Sequence, residues 1–181
     1  MEKKYSIALR VFDEKRDILL FHKAHSDPSS MKYYGMLAFQ DLEQSRGLMR
    51  SYLQSESDKH SFHRVICDPI SNQYMGEIGL FNINSLHHRA NSYCILLPEH
   101  RKKGVSIDAS DLFYHEVFRS LPINRIQAFV DDRNIGARNS LLGIGFLYEG
   151  KLSQYEFFNG EFIDIEVFAL LKKHFFELYG E

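Results

Sequence analysis

Tryptophan is absent from the sequence, and cysteine occurs only twice, as Cys67 and Cys94. Each cysteine lies in an apolar, strand-like run (RVIC and YCILL), with no second cysteine nearby and no histidine at ligand spacing. That argues against a disulfide framework and a zinc site, and reads as two reduced, buried thiols. No run of 18 apolar residues occurs, and the opening MEKKYSIALRVFDEKRD lacks the form of a secretory leader. The expected location is cytoplasmic, with no membrane partner. Charge of neither sign dominates: 22 Lys and Arg stand against 24 Asp and Glu, a net charge of −2, which is not the basic balance of a nucleic-acid binder. The G-K-[S/T] of a Walker loop and the three glycines of a dinucleotide fingerprint are both missing. Without repeats, linkers or low-complexity stretches, the chain reads as a single domain, 1–181.

What is present is an ordinary globular core and many rings. Hydrophobic residues make up 44% of the chain, and 15 Phe and 10 Tyr carry the aromatic content, enough to fill a core and line a pocket. YSIALRVF (5–12) reads as a strand, RDILLFHKA (16–24) as a helix ending at the turn SDPSS, and 41–55 as a second helix with an interrupted apolar stripe. SFHRVICDP and QYMGEIGLFNI form a hairpin around PISN, and NSYCILLP (91–98) is a further strand. Val105, Ala109, Leu112, Phe113, Val117 and Leu121 then mark one face of a helix. NRIQAFV (124–130) is a short strand, followed by a short helix that ends at a glycine. A last hairpin turns at Asn159-Gly160, and KKHFFELYGE supplies one helical turn or two. Tight hairpins disfavour a doubly wound parallel sheet. The order predicts an α/β (α+β type) fold with a mixed, mostly antiparallel sheet and helices on both faces.

One stretch asks for an explanation. In PEHRKKGVSIDAS (98–110) a strand stops at a proline, three cations and a glycine follow, and a helix begins. The first amides of a helix lack intrahelical partners and carry the positive end of its dipole, so an anion placed there is stabilised. On residues alone, an anion site and a solvated basic turn remain equal readings.

The neighbouring motifs shift that balance. R-x-x-G-x-S (101–106) resembles the pyrophosphate loop, Q/R-x-x-G-x-G/A, of the GNAT superfamily of acetyl-CoA-dependent N-acetyltransferases. DPSSMKYYG (27–35), GEIGLFNI, RANSYCILLP, NIGARNSLLGIGFLYEGKL and FNGEFIDIEVFALL are similar to successive segments of its Rim-type branch, the ribosomal-protein N-terminal acetyltransferases. The resemblance covers roughly residues 5 to 175. It implies a GNAT fold of six or seven strands, with the fourth and fifth splayed around CoA. It also implies acetyl transfer to a primary amine in a ternary complex, with acetyl-CoA as the acyl donor and no metal. By this resemblance the amides of Lys102, Lys103, Gly104, Val105 and Ser106 hold the pyrophosphate, and Arg101 reaches the 3′-phosphate or an adjacent carboxylate. Asn134, with Arg138 and Asn139 beside it, contacts the cofactor arm. Backbone amides at Ile95, Leu96 and Leu97 polarise the thioester carbonyl.

Acid and base do not carry over. Leu141 stands where many members have a tyrosine, Ala137 where the Rim-type pattern has a serine, and Asn91 where an acidic residue is frequent. Glu149 and Glu77 are the remaining carboxylate candidates. Glu77 reads first as a solvent-face strand residue and second as a group facing the acceptor, and Glu149 equally as a structural carboxylate. His87 and His88 titrate in a useful range, and Asp164 reads as a brace of the sheet. Positioning alone supplies up to roughly 7 to 11 kcal/mol in favourable cases. The expected acceptor mouth, 28–45 and 150–160, holds only Asp41, Glu43 and Glu156 as carboxylates, but Tyr33, Tyr34 and Tyr155 among several rings. That composition suits a peptide N-terminal α-amine, or a sugar-bearing amine, better than a polyamine. A different small amine, such as an amino antibiotic, stays open as the acceptor, as does a non-catalytic acyl-CoA-binding sensor as the role. The chain is expected as a monomer or homodimer.

Overall fold

The computed structural model describes residues 5–180. Strand β1 (Ala8–Arg10) leads to helices α1 (Glu14–Ser26), α2 (Pro28–Met31) and α3 (Leu42–Ser57). Strands β2 (Phe62–Cys67), β3 (Tyr74–Asn84) and β4 (Arg89–Leu96) follow, then a 3-10 turn at Pro98–His100 and helix α4 (Val105–Ser120). Strand β5 (Arg125–Asp131), helix α5 (Ile135–Ile144), strands β6 (Leu147–Phe158) and β7 (Glu161–Leu171), and helix α6 (Lys172–Tyr179) complete the order. The seven strands form one sheet, ordered β1-β2-β3-β4-β5-β7-β6. Only β4 and β5 run parallel, because α4 carries the chain from one to the other, as a parallel pair requires.

Local chemistry sets the boundaries. Asp13 accepts the Lys15 amide at 3.0 Å and starts α1, and Asp41 with Gln44 forms a capping box for α3. Gly145, in the left-handed region at φ 103°, ends α5. The SDPSS turn contains the short α2, with Asp27 as its cap and Pro28 in its first turn.

The sheet has a core on each side. Val105, Ala109, Phe113, Val117 and Phe118 of α4 pack with Ile78, Ile126 and Phe168 of the sheet and Phe175 of α6. On the other side Ile18, Phe21 and Ala24 of α1 and Met49 of α3 pack with Val65, Tyr74, Ile95 and Leu97. The sequence expectation for the cysteines is half met: Cys67 is buried, and Cys94 is only partly so. No helix among the described residues is long and apolar enough to cross a membrane.

Candidate active site

Strands β4 and β5 pair over only three residues, Arg89 to Asn91 against Arg125 to Gln127. Beyond Asn91 the two strands continue unpaired, to Leu96 and Asp131, and a gap opens between them. The Leu97 amide donates to the Met75 carbonyl across the other edge of β4, at 3.0 Å. By strand alternation the peptide groups of Cys94 and Leu96 therefore point the other way, into the gap. Two bonds agree with this: the Tyr34 hydroxyl donates to the Cys94 carbonyl, and Arg101 Nε donates to the Leu96 carbonyl at 3.0 Å. Of the three expected amides, then, Leu96 faces the gap, while Leu97 is bonded to Met75 and Ile95 sits in register with Glu77 on β3. The correction is one of strand parity, which a run of three apolar residues cannot reveal.

The basic turn lies at the open end of this gap. Lys102 has φ 59° and Gly104 φ 78°, a left-handed conformation that favours glycine. Ile107 already bonds back to the Gly104 carbonyl, at 3.0 Å. None of the amides of Lys102, Lys103, Gly104, Val105 and Ser106 donates a hydrogen bond within the described residues. Val105 is buried and fixes the helix start, while Lys102, Lys103 and Gly104 are exposed. Free donors at an uncapped helix N-terminus, with two cations beside them, fit a phosphate group. Arg101 is turned away from it. Its guanidinium donates to Ser30 Oγ at 2.5 Å and lies 3.9 Å from Asp27, so it ties the turn to α2. Of the two partners expected for it, the adjacent carboxylate is the one its position matches.

Asn134 follows the open end of β5, and its side chain accepts the Ala137 amide at 3.1 Å, capping α5. Arg138 pairs with Glu166 at 2.7 Å and lies 5.8 Å from the Tyr148 ring centre. Asn139 is exposed.

Glu77 is not a solvent-face residue: it is 0% exposed. β3 is central and covered by helices on both sides, so alternation carries no information about exposure there. Tyr74 donates to Glu77 Oε2 at 3.0 Å, and His25 Nε2 lies 3.5 Å from Oε1. Burial pushes the Glu77 carboxyl up to about 8 against the pull of the Tyr74 and Tyr93 hydroxyls, and pushes His25 down to about 4. His25 Nδ1 meets the Phe21 carbonyl at 2.9 Å, so that nitrogen carries the hydrogen, and neutral Nε2 is left as an acceptor facing the protonated Glu77. His63 also belongs to this cluster. It stacks on Tyr52 at 4.2 Å, bonds Tyr93 at 3.1 Å and is held down to about 4 by burial.

Glu149 is engaged by both terminal nitrogens of Arg125, one at 2.8 Å, and this pairing lowers its pKa. Arg125 is in register with Arg89, so Glu149 belongs to the paired end of β4 and β5, opposite the gap. His87 and His88 occupy the β3–β4 turn at that same end, where His88 Nδ1 bonds the Pro122 carbonyl at 2.7 Å. Asp164 accepts the Gln154 amide at 2.7 Å and pairs with Lys151 at 2.9 Å, a brace between β6 and β7. Leu141 and Ala137 pack against the α4-side core.

Between the α2–α3 connection and the β6–β7 hairpin lies a cleft of about 1010 Å³ whose apolar wall includes Met31, Met36, Leu37, Phe39 and Phe158. Tyr33, Tyr34 and Tyr155 do not line it. Lys32 Nζ sits 5.0 Å from the Tyr33 ring centre, Tyr34 reaches the gap, and Tyr155, 58% exposed, stacks on Phe129 at 6.4 Å.

The acetyltransferase (GNAT) domain family matches residues 6–147. The chain belongs to the GNAT family. An uncharacterised N-acetyltransferase, p20, of Bacillus licheniformis is 30% identical over 152 residues, covering 83% of this chain and 84% of its own. The spermidine N(1)-acetyltransferase of Escherichia coli (strain K12) is 26% identical over 162 residues, covering 90% of this chain and 84% of its own. In three dimensions, a spermidine N-acetyltransferase of Vibrio cholerae, solved with CoA and spermine, superposes with a TM-score of 0.83 at 23% identity, over 94% of this chain and 98% of its own. That likeness shows the fold. This GNAT member is therefore an acetyl-CoA-dependent N-acetyltransferase, but these relatives do not place it in the Rim-type branch in particular. Sequence reasoning missed the partners of Glu77: nothing in their spacing distinguishes His25, Tyr74 and Tyr93 from other core residues of this GNAT chain.

Proposed function

We propose that the chain transfers the acetyl group of acetyl-CoA to the α-amine of a protein or peptide N-terminus, by direct attack in a ternary complex. The observation that carries this reading is the unpaired gap with the Leu96 amide inside it and five free amides at its mouth. In this reading the amides of Lys102 to Ser106 hold the pyrophosphate, with Lys102 and Lys103 adding charge, and Asn134 contacts the cofactor arm while capping α5. The Leu96 amide polarises the thioester carbonyl. The acceptor ammonium first gives one proton to water. The neutral amine nitrogen then bonds to the carbonyl carbon, the carbon–sulfur bond breaks, and the sulfur takes the second nitrogen proton. Glu77 is sealed from the gap and Glu149 is held by Arg125, so neither meets the amine directly. Positioning then supplies most of the acceleration. The spermidine enzymes among the relatives favour a second reading, a small-molecule amine acceptor.

Thiol release from acetyl-CoA across peptides, aminosugars and polyamines tests the reading. Gly104→Glu places a carboxylate among the free amides and strains a φ of 78°. It is expected to abolish both turnover and the rise in Tm with CoA. Turnover retained in this variant would exclude the turn as the phosphate site.

A further inference from the structure

The mouth of the site contains several carboxylates, and all but one are occupied. Asp41 caps α3, and Glu43 pairs with Arg46 at 3.1 Å. Asp27 accepts from Ser29 and Ser30, at 2.6 and 2.7 Å. Asp131 and Glu161 both hold Arg133, at 2.6 and 3.3 Å. Asp132 and Asp164 share Lys151, at 3.4 and 2.9 Å.

Glu156 differs. It is exposed, and no cation lies within ion-pair distance of it among the described residues. A register shift in β6 between Leu152 and Glu156 re-aims it, as bulges beside functional sites do. Its Oε2 then lies against Gly35, 3.2 Å from where a Cβ would stand, and Gly35 has φ 60°. Gly35 joins Tyr34, whose hydroxyl is on the Cys94 carbonyl in the gap, to Met36 of the apolar cleft. Phe158, two residues from Glu156 on the same strand, lines that cleft. Glu156 thus stands on the seam between cleft and gap. On the cleft wall the one cation with no carboxylate within ion-pair distance among the described residues is Lys32, which lies over Tyr33 and reaches Asp131 only through its longer-range field.

We propose that Glu156 seats the ammonium of an acceptor that carries a single positive charge and an apolar first side chain, which enters the cleft beside Met36 and Phe158. This rests on the acetyltransferase reading above and narrows its acceptor. One unpaired carboxylate matches one ammonium. A second ammonium on the same acceptor meets Lys32, while the one acid of the cleft wall, Glu161, is already held by Arg133 at 3.3 Å. Like-charge contact with Lys32 selects against it. The unbranched Met31 and Met36 side chains adapt to varied apolar groups. Lys32 is left to meet a carbonyl or carboxylate oxygen of the acceptor.

Steady-state thiol release with three probes decides it: a peptide beginning with methionine, the same peptide beginning with serine, and spermidine. The expected order of kcat/KM is methionine peptide, serine peptide, spermidine, with at least tenfold between first and last. Glu156→Gln is expected to raise KM for the methionine peptide at least tenfold and leave KM for acetyl-CoA and Tm unchanged, with Glu156→Asp intermediate. Higher kcat/KM for spermidine overturns the single-charge acceptor. An unchanged amine KM in Glu156→Gln overturns the seat. No thiol release with any amine while CoA still raises Tm overturns the acetyltransferase reading itself, and the proposal with it.

Discussion

The two sides of the sheet bury different chemistry. Between α4 and the sheet the packing is mainly hydrocarbon and rings, and the ionisable Asp111 of α4 is met there by Tyr5 and His115. Between α1, α3 and the sheet, Asp17, His25, His63 and Glu77 are all buried among the apolar groups. Asp17 is held in a bidentate pair by Arg10, at 2.6 and 2.7 Å, but His25, His63 and Glu77 are held by hydroxyls, backbone and rings. Burying hydrocarbon stabilises at every pH, in proportion to area. Burying a neutral carboxyl or imidazole makes stability depend on protons, because the unfolded chain titrates these groups at their ordinary values. The polar side is also the side of the cleft: Phe39, on the cleft wall, stacks on His25 at 5.5 Å. The turn with free amides starts the helix of the apolar side, and the cleft is assembled on the polar one.

The largest effect should come from the apolar side. Phe113→Ala removes a ring that is 0% exposed and is expected to cost about 3–5 kcal/mol. The loss should be the same at pH 6 and pH 8 in urea denaturation. A loss that changed strongly with pH would break the contrast between the two sides.

The polar side should set the pH profile. Glu77, raised from 4.5 to about 8, keeps its proton in the folded chain where the unfolded carboxylate has lost it, so stability falls as pH rises from about 4.5 to about 8. His25 and His63, lowered from 6.5 to about 4, stay neutral while the unfolded chain binds two protons, so stability rises from about pH 4 to 6.5. Between 4.5 and 6.5 the two histidines outweigh the one carboxyl. A maximum near pH 6.5 follows, with a slope of about 1.4 kcal/mol per pH unit on either side. Glu77→Gln should flatten the alkaline limb and steepen the acid limb to about 2.7 kcal/mol per pH unit, since the two histidines then act unopposed. An unaltered alkaline limb would falsify the assignment of that slope to Glu77.

The smallest effect should separate the two ends of the β4–β5 pair. Asn134→Ala, at the open end, is expected to cost about 1 kcal/mol through the lost cap and to weaken CoA binding, read by calorimetry. Glu149→Gln, at the paired end, should leave the CoA Kd and kcat within about threefold, since its partner Arg125 is partly exposed and such pairs contribute little. A large fall in kcat for Glu149→Gln would return that carboxylate to the chemistry.

Much of this was legible in the residues. Caps, turns and periodicity marked nearly every element: Asp41 with Gln44, Asn159-Gly160, and the stripe from Val105 to Leu121 are local signals, and local signals survive tertiary packing. The basic glycine turn was legible for the same reason, since a helix start and its free amides are built from consecutive residues. The settings of the two candidate carboxylates were not. Glu77 lies on a central strand covered on both faces, where pattern says nothing about burial, and its partner His25 is 52 residues away on α1. Glu149 was claimed by Arg125, 24 residues earlier. Asp41, Glu43 and Glu156 were visible together as the acids of the mouth, but composition could not say which were occupied.

The sequence by itself determined the order of elements, the strand–turn–helix that presents free amides, and the family, because each depends on short spans whose energetics are local. Tertiary structure decided which amide of Ile95 to Leu97 opens into the gap, that burial raises the Glu77 carboxyl, and which carboxylate of the mouth has no ion-pair partner among the described residues. Those outcomes depend on strand parity, desolvation and charge pairing between segments far apart in the chain, and such terms exist only once the sheet has closed between its two layers of helices.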